Sequence, residues 1–186
     1  MKPLGLGWPN LVSILRAALV PVIVALILAE DRTAMDLAAI LFVVGALTDG
    51  LDGYLARRHG MTTTMGQWLD PLSDKLFVSA PMVTLTLLGR FPVWAAVVIL
   101  AREVAVSGLR WYLGSRRESM PASNLAKWKT GSQIVAVTMY LLPLTGVIAD
   151  IRYITLWVSV VLTVASGLDY FLRYLLRARR RVAPLP

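Results

Sequence analysis

The chain has 186 residues, a mean hydropathy of +0.66 and 57% hydrophobic residues; only 16% are charged, where soluble domains are nearer a quarter. That balance excludes an ordinary soluble domain and points to several bilayer spans. Cysteine is absent and His59 is the single histidine, which excludes disulfides, thiolate metal sites, a cysteine nucleophile and a His-rich zinc site.

In chain order, Met1 to Trp8 is too short to span and is predicted to lie along the interface, with Trp8 at headgroup depth. No signal peptide is evident, because the first apolar stretch is too long and lacks a small-residue cleavage site. Asn10, after Pro9, is placed to cap the first helix. A requirement of about 20 apolar residues per crossing predicts six spans, near 10–29, 35–58, 67–88, 91–113, 125–148 and 151–176. Three short connections follow from them: Glu30 to Arg32, Gly89 to Pro92, and Ala149 to Arg152. The longest polar stretch, Gly114 to Ser123, is a loop between the fourth and fifth spans. No repeat or linker divides the chain, so residues 1–186 read as one domain, closing on a basic tail over 177–186.

Charge orients the spans. The three connections carry only Arg32, Arg90 and Arg152, whereas Lys2, Arg57, Arg58, Arg116, Arg117, Lys127, Lys129 and the tail arginines fall on the other side. Positive charge marks the cytoplasmic face, so both termini are predicted to be cytoplasmic. The net charge of +8 thus reads as attraction to anionic headgroups, and no nucleic-acid partner is expected.

Against this apolar background stand Asp49, Asp52, Asp70 and Asp74. On a helix Asp49, Asp52, Gly53 and Ala56 fall within an arc of about 100°, and Gly66, Asp70 and Asp74 form a second stripe stepping by four. Four bare carboxylates in one small volume repel one another, and divalent cations turn the same arrangement into an oxygen-lined metal site. Intramembrane acids of this kind mark function more often than structure.

The run Asp49-Gly-Leu-Asp52-Gly53-Tyr-Leu-Ala56-Arg57, then eight residues, then Gly66-Gln-Trp-Leu-Asp70-Pro-Leu-Ser-Asp74 matches D-x-x-D-G-x-x-A-R-x8-G-x-x-x-D-x-x-x-D without a gap. That signature resembles the CDP-alcohol phosphotransferases. The likeness extends to Pro9 to Arg16, to Arg102-Glu103 with Ser107 to Arg110, and to Lys127 to Thr130, segments similar to the branch whose acceptor is sn-glycerol 3-phosphate. Ser13 stands where relatives often carry threonine, and the hydroxyl is kept.

The resemblance implies an all-α integral membrane homodimer of six-span chains in a bacterial cytoplasmic membrane. It would move a phosphatidyl group from CDP-diacylglycerol to the acceptor and release CMP. It implies Mg²⁺ or Mn²⁺, two per site, on Asp49, Asp52, Asp70 and Asp74, with Asp74 also the general base. Asn10, Ser13, Asp49, Asp52, Gly53, Ala56, Arg57, Gly66 and Asp70 would meet the nucleotide end of the lipid substrate. The acceptor is a dianion and needs cations near the metals: Arg110, Lys127 and Lys129 first, with Lys75 and Arg102 less strongly placed because either could be a structural counter-ion.

Plainer readings stand beside these. The aspartates could form interhelical salt bridges with Arg57, Lys75 or Arg102; Lys127 and Lys129 could be ordinary flanking charge; Arg16 could snorkel. An arginine as deep as Arg102 needs a partner, with Glu103 or a motif aspartate in reach. Gly5, Gly7, Gly45 and Gly108 read as close-packing or loop residues, and the tryptophans as interface anchors. Inositol phosphate, serine, or phosphatidylglycerol (in a cardiolipin synthase) would serve as acceptors for the same chemistry. A cation transporter is a different class, disfavoured because the acids cluster at one face.

Overall fold

Apolar residues dominate every predicted span, and the computed structural model of the chain turns each span into a helix. It describes the backbone over residues 8–59, 64–116 and 124–182, and side chains over 14–48, 73–116, 124–146 and 149–177. Among the described residues there are six helices and no strand: α1 (Trp8–Leu28), α2 (Arg32–His59), α3 (Thr64–Leu87), α4 (Val93–Ser115), α5 (Asn124–Leu141) and α6 (Val147–Val182).

The connections explain where the helices stop. Glu30 takes φ 52° at the end of α1, and Asp31 then caps α2 by accepting hydrogen bonds from the N–H groups of Thr33 and Ala34 at 2.9 and 3.2 Å. Gly89, at φ +69°, lets the N–H groups of Arg90 and Phe91 turn back onto the Leu85 carbonyl, closing α3 in a left-handed cap. Pro92 then opens α4.

Several boundaries differ from the sequence reading. Helix α1 already includes Trp8, so Asn10 is its third residue and not its cap. The fifth helix ends at Leu141, short of the predicted 148, because Pro143 cannot donate an N–H and Gly146 turns the chain at φ +65°. The last connection is therefore 142–146, and Asp150 belongs to the first turn of α6. That helix continues to Val182 through the arginine tail, which contains no glycine or proline before Pro184. Helix α4 likewise runs to Ser115, into the stretch read as a loop.

Packing divides the bundle into two poles. Ile23, Ile27, Phe42, Met82, Leu85, Ile99, Leu141 and Leu156 fill an apolar core toward the connections at 29–31, 88–92 and 142–146. The other half of the interior is polar, with Arg16, Ser73, Lys129, Gln133, Thr163 and Ser166 all buried. Each helix runs from one pole to the other, so consecutive helices alternate in direction. Outward faces carry Leu15, Leu47, Leu87, Val104, Ile154 and Val161, each more than half exposed. A solvated protein does not expose apolar side chains on this scale, and a membrane protein does.

Among the described residues only Ala149–Arg177, 29 residues of mean hydropathy 1.6, is long and apolar enough to cross a bilayer; Ile14–Leu28 is a shorter apolar helix. In α4 and α5 the charges of the polar pole, Arg102, Glu103 and Lys129, interrupt the apolar run.

Candidate active site

The motif carboxylates lie on α2 and α3, which both pack against α1 and touch each other at one point. Phe42 of α2 stacks on Phe77 of α3 with ring centroids 5.1 Å apart and planes within 11°. Gly45 makes that approach possible, since a Cβ there would sit 2.6 Å from Phe77 Cζ. One turn beyond Gly45, α2 reaches Asp49; just under one turn before Phe77, α3 carries Asp74. Two antiparallel helices in this register bring the aspartate-bearing ends to the same pole.

Of the motif, only Asp74 has a described side chain. It accepts an ion-paired hydrogen bond from Nη1 of Arg16 on α1. Arg16 is 5% exposed while the Asp74 side chain is 49% exposed. Arg16 therefore does not snorkel to the headgroups. It turns inward, and among the described residues it forms an interhelical bridge to Asp74. The side chains of Asn10, Ser13, Asp49, Asp52, Gly53, Ala56, Arg57, Gly66 and Asp70 lie outside the described residues; their backbones belong to α1, α2 and α3.

Of the five cations predicted for the acceptor, Lys75, Arg102 and Lys129 form one connected network around α4. Lys75, next to Asp74, donates to the Ser107 hydroxyl, which donates in turn to the backbone carbonyl of Glu103. Glu103 Oε1 accepts from Lys129 of α5 and from Arg102 Nη1 at 3.1 Å. Arg102 Nη2 reaches Ser166 of α6 at 3.0 Å. Glu103 is thus the partner that the depth of Arg102 demanded, and it serves Lys129 as well. Lys127 is exposed on α5. Arg110 is exposed too, its guanidinium lying 5.3 Å from the centre of the Tyr170 ring, a cation–π contact between α4 and α6.

Among the described side chains this pole holds Arg16, Lys75, Arg102, Arg110 and Lys129 against Asp74 and Glu103. Asp169 of α6, paired with Arg173 at 2.9 Å, adds a third described carboxylate next to Tyr170.

Sequence reasoning missed what α6 contributes. Ser159, Thr163, Ser166 and Tyr170 are all buried and repeat at spacings of four, three and four, a polar stripe on the most apolar helix. Thr163 accepts a hydrogen bond from Gln133 of α5 at 3.0 Å, and Ser166 meets Arg102. Gly167 leaves room for that arginine, since a Cβ there would stand 3.1 Å from Arg102 Cγ. The helical period of these small polar residues was legible in the sequence. Gly108, by contrast, faces open space and is not a packing glycine.

Comparison with known proteins agrees with this geometry. The family described as CDP-alcohol phosphatidyltransferase matches residues 6–165. A Bacillus subtilis protein named CDP-diacylglycerol–glycerol-3-phosphate 3-phosphatidyltransferase is 40% identical over 178 residues, covering 88% of this chain and 92% of that protein. A Rickettsia typhi protein of the same name is 38% identical, covering 88% and 94%. A Mycobacterium tuberculosis protein named "Probable phosphatidylglycerophosphate synthase" is 36% identical, covering 89% and 80%. A family match over residues 6–165, with relatives 36–40% identical over most of the chain, has one reading: this chain belongs to the CDP-alcohol phosphatidyltransferase family.

Proposed function

We propose that the protein transfers a phosphatidyl group from CDP-diacylglycerol to sn-glycerol 3-phosphate, forming phosphatidylglycerophosphate and CMP. The observation that carries this reading is the cation-rich pole around Asp74 and Glu103, set against relatives named for that reaction. In this reading the chain crosses a bacterial membrane six times with both termini cytoplasmic, and the pole faces the cytoplasm, where a water-soluble acceptor can meet a lipid-borne nucleotide. Alternating helix directions and the inward excess of Lys and Arg support that orientation.

Asp49, Asp52, Asp70 and Asp74 would hold divalent metal, Mg²⁺ or Mn²⁺. An all-carboxylate donor set suits these hard cations, and the half-exposed Asp74 side chain is open to one. When bound, such ions screen the pyrophosphate and make its β-phosphorus easier to attack.

The chain's own groups do the rest. Asp74 accepts the proton of the acceptor hydroxyl as that oxygen attacks, and Arg16 holds the carboxylate in position from below. As the family resemblance implies, Asn10, Ser13, Gly53, Ala56, Arg57 and Gly66 would meet the nucleotide end of the lipid substrate. Arg110, Lys127 and Lys129 receive the acceptor phosphate. Lys129 has three N–H donors and Glu103 occupies one, so pairing leaves it able to serve a phosphate. Lys75 and Arg102, held by Ser107, Glu103 and Ser166, brace the pocket. The homodimer implied by family resemblance would form through the outward apolar faces.

Purified protein offered CDP-diacylglycerol with glycerol 3-phosphate, inositol 1-phosphate, serine or phosphatidylglycerol in competition tests the reading. CMP release should follow glycerol 3-phosphate. Release driven equally by serine would remove the cationic pocket from the account, and no release with any acceptor would remove the enzyme assignment.

A further inference from the structure

The pole opposite the carboxylate motif contains a cavity of about 630 Å³ that the transfer reaction does not use. Its charged lining is Arg32, Arg90 and Arg152 against Glu30, an excess of two positive charges. Glu30 offsets little of it, because its contact with Arg90 is 3.5 Å long and both side chains are exposed. Asp31 is committed to capping α2, and the exposed Asp150 lies outside the lining.

Arg152 is the centre of the site. Its guanidinium lies 4.8 Å from the Tyr140 ring and 5.6 Å from the Tyr153 ring. Its Nε is buried without a hydrogen-bond partner, and so is the Tyr140 hydroxyl on the same wall. Two orphaned polar atoms beside a cationic cavity call for an acceptor that can take both. Helix α4 also opens onto the cavity at Pro92 with no side-chain cap, adding the positive end of its dipole.

The rest of the wall is apolar, including Met35, Leu141 and Leu144. Trp94 and Trp157, 4.9 Å apart and both exposed, stand on α4 and α6 near this end. Exposed tryptophans of this kind sit at headgroup depth in a bilayer.

We propose that this cavity binds the phosphate of an anionic phospholipid in the leaflet opposite the active site, with Arg152 and Arg90 as its principal ligands. The leaflet assignment rests on the orientation given above; the phosphate chemistry does not. A free phosphate has the same oxygens, but only a lipid also fills the apolar wall.

Native mass spectrometry of the delipidated full chain in detergent, titrated with dioleoylphosphatidylglycerol, dioleoylphosphatidylcholine or inorganic phosphate, tests this. Phosphatidylglycerol should bind about tenfold more weakly to Arg152→Gln, the size of one lost charge-assisted hydrogen bond. Arg90→Gln, which alters exposed atoms and leaves the core intact, should weaken it severalfold. Neither change should alter phosphatidylcholine binding or CMP release, and lipid bound at the active site is common to all the proteins compared. Unchanged phosphatidylglycerol affinity in both variants would overturn the site. Displacement of the lipid by millimolar inorganic phosphate would overturn the lipid assignment in favour of the free anion. Turnover measured on the same preparations reports on the transferase reading separately, since its loss leaves the binding comparison standing.

Discussion

Asp74 and Arg16 show how one side chain changes the meaning of another. An aspartate in a membrane bundle needs compensation, and a deep arginine needs a carboxylate; here each supplies the other across α1 and α3. Arginine orients the carboxylate while leaving half of its surface open. We expect Asp74→Asn to lower turnover by a factor of about 10²–10⁴, the usual worth of a general base, with CDP-lipid binding largely retained. Equal loss of nucleotide-lipid affinity in equilibrium binding would show that Asp74 holds substrate and not the proton. Lys129→Ala should raise the KM for glycerol 3-phosphate more than that for CDP-diacylglycerol; equal shifts would place Lys129 in the wall and not in the acceptor pocket. The choice between those roles was invisible in sequence, where Lys129 is one of two neighbouring lysines and its burial against Glu103 cannot be read.

At the scale of elements, the site depends on α2 and α3 lying close enough for their carboxylate ends to share one volume. Gly45 sets that distance against the Phe42–Phe77 stack. Gly45→Val should cost about 1–3 kcal/mol by overpacking, read as a lower midpoint of thermal unfolding in detergent, with part recovered by adding Phe77→Leu. No change in midpoint would mean that the two helices can slide apart freely. Helix α4 is braced differently. Its Glu103 compensates cations on its own helix and on α5, and Glu103→Gln leaves Lys129 buried without a counter-charge, a loss of about 3 kcal/mol. An unchanged unfolding midpoint in that variant would show that the pair is already solvated.

The whole molecule separates chemistry from scaffold. An apolar core fills one half of the interior, and buried polar side chains gather in the other, so the carboxylate motif stands apart from the packing that holds the bundle. Lipid offers helices no hydrophobic reward for associating, and close packing with buried polar contacts, such as Gln133 to Thr163, must hold them instead. If the polar pole works with divalent metal, a chelator should abolish CMP release and added Mg²⁺ or Mn²⁺ should restore it. Full activity in a chelator would exclude the metal.

Local composition determined that this chain is helical and membrane-bound in kind, because apolar length and charge asymmetry are properties of short segments. The residues from Asp49 to Asp74 likewise carried the resemblance to the family, since the whole signature lies within one short, contiguous stretch of sequence. Tertiary structure alone decided which groups meet across helices: Arg16 with Asp74, Glu103 with Lys129, Tyr170 beneath Arg110. Those partners lie up to 60 residues apart in the chain, and no local period links them. It also decided that Arg32, Arg90 and Arg152, three unremarkable connection arginines in sequence, converge on one cavity. Convergence of that sort depends on where helices end and how they alternate, which only the packed bundle specifies.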